Sequence, residues 1–236
     1  MTRSKALAVG AIVLFSVALL PGVAAAQQSL SLNIGGFVVR GESGRVAGDT
    51  LVADLSAGTP FALDFRIQDF NNVTFGGEWL IGVGNFLEGG VGVSYYVRTV
   101  PSVYRDLVNN DGTEIQQDLR LRIVPITATV RLLPLGRHAA VQPYLGAGVG
   151  LFAWRYSETG EFVDSSQNIF RANFVGSGTT AGPVILGGVR FPVSTGFALG
   201  GEVRYQKADG SLSTDFLGDK IDLGGVTYQV NFILRF

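Results

Sequence analysis

From about residue 30 onward, apolar and polar residues alternate with a period of two, the pattern of β-strands that bury one face. This pattern predicts eight strands at about 30–40, 72–84, 86–100, 117–133, 141–157, 181–193, 196–207 and 222–236. The connections alternate in length. The long, polar ones are 41–71, 101–116, 158–180 and 208–221, and the short ones are 85, 134–140 and 194–195. The sequence therefore predicts an all-β fold, a single antiparallel up-and-down barrel with most of its loop mass on one side.

The two faces of these strands differ in charge. In the strands around 72–84, 86–100, 181–193, 196–207 and 222–236, one set of alternate positions carries no charged residue. The interleaved set carries the residues that we predict to be lumen charges: Glu78, Glu88, Arg98, Arg190, Glu202, Arg204 and Arg235. An uncharged outer face and a charged inner face are typical of a barrel surrounded by lipid.

Aromatic residues of the uncharged set favour lipid over water outside the barrel. Trp79, Phe191, Phe197 and Phe236 fall near the short-turn ends of their strands, and Tyr95 and Tyr205 near the long-loop ends. Two such belts match the two interfaces of a membrane. The opposite face, rich in Gly, Ser, Thr, Gln and Arg, would make a poor soluble core. We therefore predict a transmembrane barrel.

Two segments break the pattern. Near Pro125 the apolar phase slips by one residue, which predicts a bulge or a bend where pairing stops. Residues 50–70 contain a short alternating run that allows a lid over the mouth, a hairpin extension or two further strands, which would make ten.

Residues 1–26 have the order of parts of a secretory signal peptide: a basic start, an apolar run from Ala6 to Leu20 and small residues at Ala24–Ala26. The predicted mature domain is 27–236. Removing Arg3 and Lys5 changes the formal net charge from −1 to −3. This balance argues against nucleic acid as a partner.

The C-terminal run from Tyr228 to Phe236 resembles the last strand of Gram-negative outer-membrane proteins. In such strands the alternate apolar residues and the final Phe form the assembly signal, which here corresponds to Tyr228, Val230, Phe232, Leu234 and Phe236. Residues 123–131 and 143–150 also resemble the middle of small OmpW-like and OmpA-like barrels.

This resemblance implies a location and a set of partners. It implies the cell outer membrane with periplasmic termini, assembly by the barrel-assembly machinery, and contact with outer-membrane lipid and lipopolysaccharide. We expect no periplasmic domain after Phe236. The sequence leaves the oligomeric state open.

Candidate chemistry is sparse. The single histidine, His138, falls in a short turn with no serine or carboxylate close in sequence, although a catalytic base needs an orienting partner. The acidic loop residues around Asp111 do not have the spacing of a known calcium loop. The glycine clusters are not followed by a helix, as a phosphate loop requires. We expect no catalytic, metal or cofactor site and no enzymatic activity.

Two functions stay open at this point. The protein could be a narrow passive conduit for small apolar molecules, or a non-conducting structural or surface-interaction barrel that acts through four long extracellular loops. An eight-stranded barrel is only just wide enough for its own side chains, so the lumen charges form either an ion-paired plug or a pore lining.

Overall fold

The computed structural model describes residues 27–236, and the predicted signal peptide lies outside them. Eight long strands confirm the predicted fold class. Their bounds are β1 Gln28–Val39, β2 Asn72–Val83, β3 Leu87–Val108, β4 Glu114–Leu132, β5 Gln142–Val163, β6 Ile169–Pro192, β7 Phe197–Gln206 and β8 Gly225–Arg235.

The strands form a closed antiparallel ring. Each strand pairs with its neighbours in sequence, and β1 pairs with β8 from Ser29↔Arg235 to Val39↔Gly225. Closure leaves no free edge in this part of the sheet, which is the condition for a sheet to stand in lipid.

Two of the four predicted long loops are wrong. Strands β3, β4, β5 and β6 run for 22, 19, 22 and 24 residues, so most of 101–116 and 158–180 is strand. The turns themselves are only about 109–113 and 164–168. These segments look like loops in the sequence because their outer face is polar, as it must be where strands leave lipid for water.

At Pro125 the predicted bulge is wrong, whereas the alternative, an interruption of pairing, is found on the β3 side. Pairing of β4 with β5 is continuous from Gln117↔Gly160 to Leu132↔Leu145. Pro125 is buried and points inward in an unbroken alternation. On the β3 side the pairing lapses for two residue pairs without a change of register, and the actual register shift lies between Val103 and Val108. The apolar residues change face at Pro125. Before it, Leu119, Leu121 and Ile123 lie on the inner face, and after it the apolar residues lie on the outer face.

Residues 50–70 fold as a lid, so the ten-stranded alternative is wrong. The helix α1 spans Thr50–Ser56, and the Asp49 side chain caps it by accepting a hydrogen bond from the Val52 N–H at 3.3 Å. A two-residue strand, Leu63–Asp64, pairs with the upper part of β3, and Ile67–Phe70 forms a 3-10 turn. A further 3-10 turn, Glu42–Gly44, precedes α1, and Asp209–Ser211 and Lys220–Asp222 form a small hairpin. We call the lid, this turn and this hairpin together the cap.

The outer wall is apolar from the short turns up to about Val124 on β4, below the polar strand extensions. The exposed side chains include those on the predicted lipid face, such as Val73, Phe75, Val91, Ile185, Val203 and Phe232. At the short-turn end the rings of Trp79 and Phe236 meet edge to face, with centroids 5.3 Å apart. A continuous apolar wall of this kind requires lipid around it. Among residues 27–236, no helix is long and apolar enough to cross a membrane.

Candidate functional site

Five of the seven predicted lumen charges meet inside the barrel. Glu78 on β2, Glu88 on β3, Arg190 on β6 and both Glu202 and Arg204 on β7 are all buried. They lie on the inner face because each belongs to the set of alternate positions that points away from lipid.

The central member of this cluster, Arg131, was not among the predicted lumen charges. Arg131 on β4 is only 1% exposed as a side chain. Its alternation with the apolar residues Val130 and Leu132 could have revealed it. The phase change at Pro125 hides the two faces of β4 in the sequence.

Arg131 contacts all three carboxylates of this cluster. It pairs with Glu78, with Glu202 at 3.0 Å and with Glu88 at 3.6 Å. Arg204 bridges two of the same carboxylates, Glu202 at 2.9 Å and Glu78 at 3.2 Å. Every carboxylate therefore faces at least two guanidinium groups.

The side of the cluster nearer the short turns is held by Arg190. Its two terminal nitrogens donate to the two oxygens of Glu88 at 2.9 and 3.0 Å. The Tyr144 ring lies between Arg190 and Arg131, whose guanidinium carbons are 5.5 and 5.0 Å from the ring centroid. The Tyr144 hydroxyl donates to Glu202 at 3.0 Å. We call the six charged residues and Tyr144 the lumen network.

Glycines on the inner face make room for these side chains. A Cβ on Gly188 would come within 2.6 Å of the Tyr144 hydroxyl, and one on Gly90 within 2.6 Å of a Glu78 carboxylate oxygen. Both distances are too short for real contacts. Glycine at these positions therefore leaves the space that the large inward side chains need in a narrow barrel.

The other two predicted lumen charges lie at its ends. Arg98 is half-buried and donates to the Asp69 carbonyl at 2.8 Å, beneath the lid. Arg235 is half-buried near the short turns and donates to the Gln142 side chain at 2.8 Å. Neither belongs to the lumen network.

An apolar layer closes the barrel above the lumen network. It consists of inward side chains of the strands and buried side chains of the cap, among them Phe37, Tyr96, Leu121, Ile123, Phe152, Phe70, Leu51 and Ile221. A cavity of about 20 Å³ separates the two layers, between Tyr96 and Arg204. This is room for about one water molecule.

The cap is fastened by buried ion pairs. Arg45 donates to Asp49 at 2.7 Å and to the Asp222 carbonyl at 3.1 Å. The Asp222 N–H donates to the Asp49 side chain at 2.6 Å, and Arg40 pairs with the Asp222 carboxylate at 3.1 Å. These contacts join the 40–71 segment to the 207–224 segment across the mouth.

A pocket of about 660 Å³ opens beside the cap, above the apolar layer. We call it the mouth pocket. Its walls come from the lid, the strand extensions and residues 214–217, and the aromatic side chains are their largest apolar components. They include Phe61, Tyr104, Phe162, Phe170, Phe174 and Phe216. The size and lining are those of a site for a small apolar molecule.

Two buried carboxyl groups lie at the floor of the mouth pocket. Asp54 of α1 is 3% exposed and Glu158 of β5 is 6% exposed. Within residues 27–236, one oxygen of each has no hydrogen-bond partner. Burial raises the pKa of Glu158 to about 7. Burial, together with the charges of Glu158 and Asp49, raises the pKa of Asp54 well above its usual range.

The remaining predicted residues lie away from both features. His138 is exposed in a short turn, with Nδ1 2.9 Å from the Asn85 side-chain oxygen. The alternate residues of the C-terminal run, Tyr228, Val230, Phe232, Leu234 and Phe236, are exposed on the outer wall along β8.

Comparison with known proteins yields structural matches only. No protein-family model and no curated protein matches the sequence. Ail, the attachment invasion locus protein of Yersinia pestis, solved with the heparin analogue sucrose octasulfate, is 13% identical over 89% of this chain and 99% of its own, with a TM-score of 0.44.

Two further matches have similar coverage. Neisserial surface protein A is 13% identical over 89% of this chain and 97% of its own, with a TM-score of 0.45. The outer membrane protein W of E. coli is 15% identical over 89% of this chain and 98% of its own, with a TM-score of 0.36. At these scores the likeness carries no argument about function.

Proposed function

We propose that this protein is a non-conducting outer-membrane barrel that binds, at the cell surface, a small molecule with an apolar body and an ammonium group. The observation that carries the proposal is the closed lumen. The lumen network and the apolar layer each fill the barrel, and only about 20 Å³ lies between them. Transport would need a continuous water path or a wide apolar path, and closure at two levels argues against both.

The same closure gives the mouth pocket a solid floor. A ligand that enters from outside would meet aromatic walls and the Asp54 and Glu158 carboxyl groups. Buried oxygens without partners favour a ligand that brings a hydrogen-bond donor. An apolar ring or chain with an ammonium group satisfies both the walls and the floor.

Conductance tests the closed barrel. In planar bilayers, the purified protein should show no steady current above the bare membrane, while a general porin inserted alongside supplies the positive control. Folding and insertion are verified by heat-modifiable migration on gels. Steady single-channel steps from correctly folded protein would refute the closed lumen.

Binding tests the mouth pocket. We expect 1-naphthylmethylamine to bind more tightly than 1-naphthylmethanol at pH 8, because only the amine carries a charge for the carboxylates. Glu158→Gln should remove most of this difference, whereas Glu161→Gln, an acid outside the pocket on the same strand, should keep it. Equal binding of amine and alcohol by the native protein would contradict the proposed ligand class.

A further inference from the structure

Three arginines form an unpaired basic trough on the outer wall. Arg120 and Arg122 lie on β4 and Arg155 on β5, all exposed, and they line a depression of about 560 Å³ together with Thr99, Asp118, Ser157, Thr159 and Asn173. We call this the arginine trough. It lies on the opposite side of the sheet from the lumen.

The register brings like charges together. Arg122 is directly opposite Arg155, and Arg120 is opposite Ser157. Like charges at directly opposed positions destabilise a sheet. Within residues 27–236 no ion pair joins any of the three arginines to a carboxylate, and Asp118 is the one acid that lines the trough. The arrangement is costly unless an external anion occupies it.

The height of the arginine trough places that anion in the headgroup layer. On β4 the outward positions from Leu132 to Val124 are apolar, and Arg122 is the first charged one. From Leu132 to Arg122 the strand rises about 34 Å, which at a tilt of ~45° gives about 24 Å of height. This equals the ~25 Å apolar band of an outer-membrane barrel. The Tyr95 side chain, typical of an interface, lies one step lower on the neighbouring strand.

We infer that the arginine trough binds the phosphate groups of lipopolysaccharide. The trough lies at the long-loop end of the barrel, which in outer-membrane barrels is the extracellular end, where lipopolysaccharide forms the leaflet. A phosphomonoester carries −1.5 to −2 charges near pH 7, which matches three arginines less one aspartate. Arginine binds such groups with two parallel hydrogen bonds. A phosphodiester lipid, with a single negative charge, matches less well.

The test compares lipids and variants on the folded protein in detergent, with EDTA present so that divalent cations cannot bridge. Fluorescence-detected titration measures binding of purified lipopolysaccharide, of the same material after phosphatase treatment, and of phosphatidylglycerol. The test variant is Arg120→Gln/Arg122→Gln/Arg155→Gln. The matched control is Arg171→Gln, an exposed arginine outside the trough that pairs with Glu161 at 3.0 Å. All four positions are exposed, and heat-modifiable migration verifies that each variant folds.

We expect the triple variant to bind lipopolysaccharide on the order of 100-fold more weakly, from the usual contribution of each basic residue near an anionic surface. Phosphatase treatment should weaken binding to the native protein to a similar extent, and Arg171→Gln should change it little. Unchanged binding by the triple variant would overturn the site. Equal affinity for phosphatidylglycerol, or for the dephosphorylated material, would overturn the assignment to lipopolysaccharide phosphate.

Discussion

Replacing Arg131 with methionine tests whether the lumen network holds the barrel closed. Methionine keeps an unbranched side chain up to the position of Nε and removes the charged end of the guanidinium group. After the change, Glu88 keeps its two bonds to Arg190, and Glu78 and Glu202 share Arg204. Three carboxylates then face two guanidinium groups, so one buried negative charge is left without compensation.

The magnitude follows from that single charge. Removing one partner of a buried ion pair costs about 3–5 kcal/mol, because the other partner stays desolvated. Arg131→Met should lower the free energy of unfolding by this amount. Adding Glu78→Gln balances the charges again, so the double variant should lose less than the sum of the two single variants.

The assay is urea-driven unfolding from lipid vesicles, followed by the fluorescence of Trp79 and Trp154. Arg66→Met is the matched control, since Arg66 forms an exposed ion pair with Asp69 at 2.9 Å and its side chain is 78% exposed. Such pairs contribute about 0–1 kcal/mol. If Arg131→Met costs no more than Arg66→Met, the lumen is hydrated and the closed barrel is refuted.

Three further predictions address the wall, the mouth pocket and the topology. Val203→Arg should cost about 2–4 kcal/mol in vesicles if it lies near mid-membrane, and Val203→Ala far less; equal effects would contradict a lipid-facing wall. Because burial raises the pKa of Glu158 from 4.5 to about 7, folding favours its protonated form, so its contribution to stability falls as the pH rises from about 4.5 to 7 and is constant above. Glu158→Gln should flatten that pH profile in urea unfolding, and an unchanged profile would contradict the buried carboxyl. Since the native chain has no cysteine, Gly112→Cys should react with an impermeant maleimide on intact cells and Ala139→Cys only after the outer membrane is opened; the reverse pattern would invert the topology.

The strands and their faces could be predicted from the sequence because lipid and lumen impose opposite demands at successive residues. The assignment of apolar residues to the outer face fails where the surroundings of the sheet change. Above Arg122 the outer face meets water and the inner face meets the cap, so the apolar side chains move inward and the pattern inverts. Leu119 and Leu121 therefore resembled a slipped strand, although their pairing is regular.

The mouth pocket could not be predicted, because its parts are distant in sequence. Asp54 belongs to a seven-residue helix and Glu158 to a strand extension that had been expected to be a loop. The helix does carry a local signal, since Asp49 is an ordinary N-cap residue. No local pattern indicates that this helix turns into the barrel mouth and meets β5.

The strand extensions also decide which parts of the protein project furthest from the membrane at the capped end of the barrel. From Arg155, at headgroup height, to Val163, at the end of β5, the strand rises about 27 Å, which places the tip roughly 20 Å beyond the membrane surface. The turns at 109–113 and 164–168 join strands that already pair with each other, whereas the 40–71 segment is locked by buried ion pairs. Epitope tags inserted in these two turns would therefore be presented on rigid stalks without loosening the cap.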